Sequence, residues 1–423
     1  MLDPSRFVVA VDHLVGPLRA ELDGRHFSDI VDADGRQYVD LVLDGRGMLG
    51  IALVGYTYVL EQVGIRFLGI GGSSAGAVNA LLLAALDDRA HAKSEDLLRL
   101  LAAQDFDNFL DGDGDARRML ETALRGGSLL SMLYACVQTR ERIEQHWGLN
   151  PGNAFRDWLH RHLHAAGVHE WSDLRNRLQA GPLMHRSGAP YLLPPAESLL
   201  AIVATEVTTA TKVVFPRMSS LFWDDVDRVH PADFVRAAAA TPFVFEPVRL
   251  RVPQGDQAAR HWAEHAGFEG VLPRECVLVD GGTMTPFPID VFHLPLRVPA
   301  APTFGVRLGV DRSFARHPRG PLQLARSVID AGQHRVDYDY VMEHPDYSRI
   351  VTMIPTHPYQ WADTAMPDED RIGLFVRGAE AACSFLRRFD WEHYKTVRRH
   401  LANAHMALPH GQAREVRIVP EMH

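Results

Sequence analysis

The chain has little cysteine, no recognisable leader and no long apolar run. Its three cysteines, Cys136, Cys276 and Cys383, are an odd number whose spacing gives neither a C-x-x-C pair nor a disulfide framework. The amino terminus has no basic stretch followed by an apolar one, as a secretory signal requires, and no apolar run reaches the roughly 18 residues that span a bilayer. We therefore expect buried thiols, a cytoplasmic location and, at most, peripheral contact with a membrane.

Positive charge is also not in excess. With 53 acidic and 44 basic residues the formal net charge is -9, so the chain as a whole does not attract nucleic acid. Only a local basic patch, such as Arg398, Arg399 and His400, could touch anionic headgroups. Hydrophobic residues make up 46% and charged residues 23% of the chain, which excludes disorder and coiled coil and indicates a folded protein with a sizeable core.

The first clear elements alternate between strand and helix. A strand over 38–43 enters a glycine-rich loop, and a helix over 49–63 ends at Gly64. A second strand over 66–70 enters another glycine-rich turn, which a helix over 77–86 follows. This order is typical of a parallel sheet covered by helices.

The rest of the chain predicts a domain with insertions. Further strands are predicted over 199–205, 212–215, 276–279, 302–308 and 350–354, and further helices over 322–343 and 371–389. We therefore expect the following organisation: an N-terminal segment at 1–37, a main α/β domain at 38–310 with a helical insertion at about 90–180 and a surface insertion at about 252–269, and a C-terminal helical extension at 311–423 packed on the core.

A G-x-S-x-G pattern lies between the second strand and its helix, where the chain reads GSSAG from Gly72 to Gly76. A nucleophile elbow forces its serine into a strained turn, so the residues two before and two after it must be small. The following helix also directs free amides and its positive dipole end toward the site. Ser74 is therefore a candidate nucleophile. The alternative is a serine-rich turn or a helix cap.

The glycine-rich loop at 44–50, which reads DGRGMLG, allows two interpretations. Gly45, Gly47 and Gly50 satisfy the dinucleotide fingerprint G-x-G-x-x-G. Such a site needs an acidic residue at the end of the next strand to hold the ribose, and that strand ends in IGG. In both interpretations the glycines let backbone amides approach an anion at a helix start. Beside the serine elbow, a tetrahedral oxyanion explains the loop better than a pyrophosphate.

A third element, Asp280-Gly281-Gly282, follows the strand predicted over 276–279. A carboxylate at the carboxyl end of a strand lies on the sheet edge where open α/β folds place their sites. Asp280 is therefore a candidate site residue. The alternative is an ordinary Asp-Gly turn.

Two other patterns are weaker indications of metal binding. The DGDGD run at 111–115 begins like a calcium loop, but Ala116 replaces the required glycine and Thr122 the bidentate glutamate. His160 and His164 are four residues apart on a predicted helix, without the glutamate of an H-E-x-x-H motif. We interpret these histidines as part of a solvated helix face, and we expect neither a metal ion nor a cofactor.

Together, the loop at 44–50, the GSSAGAVNA run at 72–80 and the DGG run at 280–282 resemble, in the same order, the motifs of the patatin-like phospholipase family. A weaker resemblance extends through the alanine-rich stretch at 234–242. The resemblance implies a patatin-like α/β fold over roughly 38–310. It also implies hydrolysis of carboxylic esters in lipids or phospholipids.

The resemblance further implies particular roles. Ser74 would be the nucleophile and Asp280 its partner in a dyad, without a third member, and the amides of Gly45, Arg46 and Gly47 would form the oxyanion hole. The family loop usually has three consecutive glycines, whereas Arg46 is the middle residue here. A residue with a Cβ does not easily adopt a positive φ there, so we expect a differently shaped hole.

Two rival interpretations remain open. An ordinary α/β-hydrolase with a Ser-Asp-His triad would use His293, His317 or His334, each of which follows Asp280 in the required order. Against it, Ser74 lies in the second βα unit, earlier than such enzymes place their nucleophile. A nucleotide-binding regulatory module would instead use the glycines of the loop at 44–50. No oligomeric state is indicated.

Overall fold

Strands and helices alternate along the first part of the chain, as the sequence predicts. The structure, a computed structural model, describes residues 3–112, 145–285, 287–294, 297–309, 344, 346–359 and 366–406. Its strands are β1 (Ile30–Val31), β2 (Gln37–Leu43), β3 (Ile65–Ser73), β4 (Gly148–Asn150), β5 (Leu183–His185), β6 (Pro190–Tyr191), β7 (Leu200–Glu206), β8 (Thr211–Phe215), β9 (Phe243–Phe245), β10 (Val248–Arg251), β11 (Glu275–Asp280), β12 (Thr303–Gly309) and β13 (Val351–Pro355). Its α-helices are α1 (Ser5–Glu21), α2 (Ile51–Gln62), α3 (Ser74–Ala85), α4 (Ser94–Ala103), α5 (Asn153–Ala165), α6 (Trp171–Gln179), α7 (Pro231–Ala238), α8 (Asp256–Ala266), α9 (Tyr347–Ile350), α10 (Asp368–Arg388) and α11 (Trp391–Met406).

The main sheet has a parallel centre and antiparallel flanks. Its central strands run parallel in the order β13-β12-β2-β3-β7. Every residue of β3 is buried, as expected for a strand covered on both faces. On one flank, antiparallel pairing continues in the order β2-β1-β5-β6. On the other flank, β8 and β11 each pair antiparallel with β7, and β10 pairs antiparallel with β11. The predicted mainly parallel sheet therefore describes the centre of the sheet.

Two strands, β3 and β11, meet end to end along one side of β7. The other side of β7 is occupied by β8 from residue 202 to residue 206. Ser73, the last residue of β3, pairs with Val203, and Asp280, the last residue of β11, pairs with Ala204. Because β3 runs parallel to β7 and β11 runs antiparallel, their carboxyl ends face each other. Asp280 is the last residue of its strand, as the sequence predicts, but β11 runs antiparallel to β7 and so does not end at the edge shared by the parallel strands.

Helices from both ends of the chain pack on the α/β core. A Cβ atom at Gly55 of α2 would overlap the carbonyl of Phe375 in α10, and one at Gly378 would overlap the carbonyl of Ala52. Both helices can approach closely because these positions are glycine. The rings of Phe7 in α1 and Phe375 make an edge-to-face contact with centroids 5.4 Å apart. The N-terminal segment therefore contributes a helix that the sequence analysis did not predict.

Some segments differ from the sequence-based expectations. The stretch at 252–269 forms α8, whose Trp262 is fully buried against Phe222 and Phe268, so it is more than a surface insertion. The segment after residue 310 supplies β13 to the central sheet in addition to helices. The helix predicted over 322–343 and the third cysteine, Cys136, lie outside the described residues.

Other expectations concern thiols and membranes. Cys276 and Cys383 are free and buried, as predicted. Within the described ranges, no helix is both long and apolar enough to cross a membrane. Arg398 is only 1% exposed, so its predicted place in a surface basic patch was wrong.

Candidate active site

Ser74 lies at a sharp turn between β3 and α3. Its φ is +48°, in the left-handed region that residues with a Cβ rarely adopt. A Cβ atom at Gly72 would overlap the backbone of Gly76, and one at Gly76 would overlap the carbonyl of Leu43. The turn therefore requires glycine at both positions, which is the geometry of a nucleophile elbow. As the first residue of α3, Ser74 also lies at the positive end of the helix dipole.

The hydroxyl of Ser74 contacts the carboxylate of Asp280. Ser74 Oγ donates to Asp280 Oδ2 over 2.8 Å, and both residues are buried. The other carboxylate oxygen, Oδ1, accepts the amide of Gly282 over 2.7 Å. The hydroxyl of Thr241 donates to Oδ2 over 2.9 Å. The carboxylate is therefore held by three donors, two of which share one oxygen.

Burial dominates the electrostatics of Asp280. It raises the pKa of the carboxyl above its ordinary value, against the smaller opposing effects of the hydrogen bonds from Ser74, Gly282 and Thr241. A raised pKa makes the ionised carboxylate a stronger base toward a serine hydroxyl than an aspartate in water. The site thus combines a strained serine with a buried carboxylate whose pKa is raised by desolvation.

The loop at 44–50 packs on the turn that carries Ser74. A Cβ atom at Gly45 would overlap the carbonyl of Ser73, so this position requires glycine. The fully buried Asp44 ties the loop to β12 because its Oδ2 accepts the amide of Leu308 over 3.0 Å. These contacts hold the loop against the residue that precedes Ser74.

The same loop leaves donors unused. Throughout the described part of the chain, no backbone hydrogen bond is donated by the amides of Gly45, Arg46 or Gly47. Gly47 has a φ of +45° and lines a cavity together with Ser74. Arg46 has a φ of -138°, so it avoids the strain expected from the sequence, and the positive φ falls on Gly47 instead. The amides are thus available to an anion beside Ser74.

An apolar cavity of about 180 Å³ opens beside Ser74. Its wall contains the aromatic side chains of Phe106, Phe109, Phe155, Trp158 and Phe245. Phe109 packs edge-on against Phe155 and Trp158, with ring centroids 5.2 and 5.4 Å away. Since Phe155 and Trp158 are three residues apart on α5, one face of that helix forms part of the wall. The cavity can hold an apolar chain next to the serine hydroxyl.

Two parts of this site were not predicted from the sequence. Thr241 lies near the end of the alanine-rich stretch at 234–242, and no local pattern connects it to Asp280. The apolar face of α5 was assigned to an insertion. The spacing of Phe155 and Trp158 could have indicated that an apolar face exists, but not that it is directed toward Ser74.

The histidine of the rival triad has other partners. His293 Nε2 lies 3.3 Å from Asp346 Oδ2, and Arg398 Nη1 lies 3.0 Å from the ring nitrogens. Burial, followed by the charge of Arg398, lowers the pKa of His293 to about 3. None of these contacts involves Ser74 or Asp280. The other candidates, His317 and His334, lie outside the described residues.

The first residue of the calcium-like run has a structural role. Asp111 Oδ1 accepts the amide of Gly152 over 2.8 Å, and Oδ2 accepts that of Ala154 over 2.9 Å. It therefore satisfies free amides at the start of α5. The rest of the acidic run, Asp113 and Asp115, lies outside the described residues, as do Ala116 and Thr122.

The histidines of α5 are only partly solvated. The half-buried ring of His160 stacks on His230 with centroids 3.4 Å apart, whereas His164 is exposed and its Nδ1 lies 3.1 Å from Nδ1 of His169. The prediction of a solvated face therefore holds for His164 and was wrong for His160. His230 Nδ1 accepts the amide of Ala232, so its other nitrogen carries the proton and is not a metal ligand.

Comparison with known proteins identifies the family of this chain. The family described as Patatin-like phospholipase matches residues 41–293. Protein YqhO of Bacillus subtilis (strain 168) is 22% identical over 362 residues, which are 84% of this chain and 100% of that protein. The crystal structure of VipD from Legionella pneumophila covers 86% of this chain and 70% of its own at 17% identity and a TM-score of 0.40. The family match spans more than half of the chain, which therefore belongs to the patatin-like phospholipase family.

Proposed function

We propose that this protein hydrolyses carboxylic esters of lipids, as an acyl hydrolase of the phospholipase A or lysophospholipase type, through a dyad of Ser74 and Asp280. The proposal is carried by one observation, the 2.8 Å hydrogen bond from Ser74 Oγ to Asp280 Oδ2 beside an apolar cavity. Membership of the family supports a hydrolase that acts on lipid esters.

In the first half of the reaction Ser74 is acylated. Its Oγ forms a bond to the acyl carbon, and its proton moves to Asp280 Oδ2, 2.8 Å away. The bond between the acyl carbon and the lipid alcohol then breaks, and the alcohol leaves with the proton from Asp280. In the second half, water attacks the acyl carbon and gives its proton to Asp280. The bond to Ser74 Oγ then breaks, the proton returns to Ser74, and the fatty acid is released.

Negative charge develops on the acyl oxygen in both halves. The unused amides of Gly45, Arg46 and Gly47 lie in the loop that packs on the elbow, and the positive end of α3 begins at Ser74. Donors aimed at a developing oxyanion usually provide the largest single contribution to such reactions. We assign the oxyanion hole to these three amides.

The cavity fits an acyl chain. Its volume of about 180 Å³ is somewhat larger than the roughly 150 Å³ of an engineered apolar cavity that binds benzene. The one charged side chain among its described lining residues, Arg371, donates to the carbonyl of Leu101 over 2.5 Å and lies over the ring of Phe106. The remaining wall is apolar enough to bind a hydrocarbon chain.

Two aromatic side chains beside this wall provide a surface for peripheral contact with a lipid layer. Trp147, which directly precedes β4, is 47% exposed, and Phe243, the first residue of its partner strand β9, is 54% exposed. Both residues have a positive φ, which is costly for bulky side chains and often marks functional positions. The guanidinium of Arg249 lies 4.0 Å from the ring centroid of Trp147 and pairs with Glu275 over 3.3 Å, so the aromatic rings rather than a free basic charge would make the contact.

The rival interpretations have less support. A triad would need a histidine at Ser74, and His293 is engaged by Arg398 and Asp346. A nucleotide site would need space over the loop at 44–50, where Gly45 instead packs on Ser73. The dyad therefore explains both glycine-rich turns.

The proposal is tested by labelling and by lipid analysis. The protein should react with a serine-directed fluorophosphonate and should release fatty acid from mixed phospholipids, as measured by mass spectrometry. Ser74→Ala should abolish both signals, whereas Ser219→Ala, which changes another buried serine that does not line the cavity, should retain them. Hydrolysis by Ser74→Ala within about tenfold of the unaltered protein would disprove the assignment.

A further inference from the structure

Thr241 shares one carboxylate oxygen with the nucleophile. Its Oγ1 lies 2.9 Å from Asp280 Oδ2, the oxygen that also accepts the Ser74 hydroxyl. Thr241 lines the cavity, so its hydroxyl lies on the side where an acyl group would bind. No hydroxyl other than these two is within hydrogen-bond distance of Asp280 among the described residues.

The backbone fixes the position of this hydroxyl. The carbonyl of Thr241 accepts the amides of Val244 and Phe245 over 3.1 and 2.9 Å. The preceding carbonyl, of Ala240, accepts the amide of Asp280 over 2.9 Å. Thr241 and Asp280 are thus tied together through both backbone and side chain, so the hydroxyl contacts the carboxylate without loss of additional freedom.

The two hydrogen bonds to Oδ2 behave differently during the reaction. When Ser74 becomes an ester, its hydroxyl proton is gone and its bond to Asp280 is lost. In the acyl-enzyme, Oδ2 keeps only the donor from Thr241, while Oδ1 keeps the amide of Gly282. The carboxylate must nevertheless stay directed toward the acyl carbon, because the water that attacks this carbon has to transfer its proton to the carboxylate.

We propose that Thr241 is a positioning residue that holds Asp280 Oδ2 in place in the acyl-enzyme and so serves the hydrolytic half of the reaction. In that half, water oxygen bonds to the acyl carbon, and a water proton moves to Oδ2. The bond between the carbon and Ser74 Oγ then breaks, and the proton passes from Oδ2 to Oγ. Thr241 neither gains nor loses a proton. The inference rests on the proposed dyad.

The hydroxyl of Thr241 also affects ionisation. A hydrogen bond to the charged form of a carboxylate favours that form, so Thr241 counteracts the rise in the pKa of Asp280 that burial causes. Removing the hydroxyl should therefore raise this pKa further. The fall in activity on the acid side should then begin at a higher pH. A merely structural threonine would not move that limb.

The test compares Thr241→Val, which removes the hydroxyl and keeps the branched shape, with Thr241→Ser, which keeps the hydroxyl. With a chromogenic short-chain ester, Thr241→Val should show a burst of about one product per active site, followed by turnover about 10- to 100-fold slower than that of the unaltered protein. Its acid limb should move to higher pH. Thr241→Ser should turn over within about threefold of the unaltered protein.

A matched control and a titration separate the possible failures. Thr356→Val removes another threonine hydroxyl, which donates over 2.9 Å to the carbonyl of Gly309 and does not line the cavity, and should leave turnover unchanged. Equal slowing of acylation and deacylation in Thr241→Val, or an unmoved acid limb, would overturn the inference. Stoichiometric labelling by fluorophosphonate shows that Thr241→Val is folded. If Thr241→Val does not fold, Thr241→Ala replaces it, with the same expected burst, slow turnover and shifted acid limb. Activity in Ser74→Ala would overturn the dyad itself.

Discussion

Ser73 and Asp280 pair with consecutive residues of one strand, Val203 and Ala204. The strands that carry them run toward each other, so the residue after Ser73 comes within hydrogen-bond distance of the Asp280 carboxylate. A Cβ atom at Gly281 would overlap the carbonyl of Val203, so glycine is required just after β11, where the ends of β3 and β11 meet. The two residues of the proposed dyad are therefore positioned by the ladder of a buried sheet, and rigid elements hold side chains more accurately than mobile loops do.

Replacing Gly47 by alanine should lower kcat more than it raises KM. Gly47 has a φ of +45°, which a side chain disfavours, so the amides aimed at the oxyanion should shift. Loss of one such donor usually costs about 10² to 10³ in kcat. Gly35→Ala is the control, since Gly35 also has a positive φ, +80°, in an open turn. Similar losses in steady-state turnover for both variants would argue against an oxyanion role.

Replacing Asp280 by asparagine should abolish hydrolysis and change how stability depends on pH. Burial raises the pKa of Asp280 above 3.8, so the residue contributes stability at low pH that is lost as pH rises through the folded-state pKa. Asparagine does not titrate. The midpoint of thermal unfolding of Asp280→Asn, relative to that of the unaltered protein, should therefore increase as the pH rises above about 4. A difference in unfolding midpoint that does not change with pH would show that burial does not raise the pKa of the Asp280 carboxyl.

Replacing Val78 by phenylalanine should shorten the acyl chain that the protein accepts. Val78 is half-buried, lies one turn after Ser74 on α3 and lines the cavity. Because one misfitted methylene costs about 10- to 200-fold, kcat/KM for a long-chain ester should fall at least tenfold, whereas that for an acetyl ester should change little. Val63→Phe, at a half-buried valine elsewhere, is the control. Equal losses in kcat/KM with both esters would show that the acyl chain binds outside this cavity.

Replacing His293 by glutamine should reduce stability without reducing activity. Its loss from the cluster with Arg398 and Asp346 should cost about 1 to 3 kcal/mol near neutral pH. The pKa of His293 is lowered to about 3 from 6.5, so the unaltered protein loses stability as pH falls below 6.5, and the variant should lose less. Turnover and thermal unfolding, measured near pH 7.5 and pH 5, test both points. A fall in turnover of about 10³ in the folded variant would favour the triad.

Replacing both Trp147 and Phe243 by serine should affect lipid surfaces selectively. These exposed rings should enter the headgroup layer, so activity on phospholipid vesicles should fall at least tenfold while activity on a dissolved short-chain ester stays within about twofold. Serine at the exposed Val271, which is 96% exposed, is the control. Unchanged hydrolysis of vesicles by the double variant would remove these residues from membrane contact.

Elements with a local cause were predictable from the sequence. The strand over 38–43 is observed at Gln37–Leu43, and the helix over 49–63 is observed at Ile51–Gln62. Gly64, which follows that helix, has the expected positive φ, +83°. Apolar periodicity and glycine caps act within a few residues, so the pattern alone is sufficient there.

Contacts between distant residues were not predictable. Thr241 reaches Asp280 across 39 positions, and Arg398 reaches His293 across 105. In the sequence Thr241 is only a polar residue before a proline, and Arg398 belongs to a basic run. Burial of Trp262 within a polar stretch is a similar case, because its partner Phe222 lies in another segment.

By itself, the sequence determined the order of the first strands and helices, the glycines around Ser74 and the motifs that identify the family. Those features depend on short-range sterics and on the spacing of neighbouring residues. Only the tertiary structure decided that β11 runs antiparallel and stops opposite β3, and that α5 supplies an aromatic wall. It also decided that the hydroxyls of Thr241 and Ser74 donate to the same carboxylate oxygen of Asp280. Strand direction, register and helix docking are decided by burial summed over many distant side chains, which no local pattern contains.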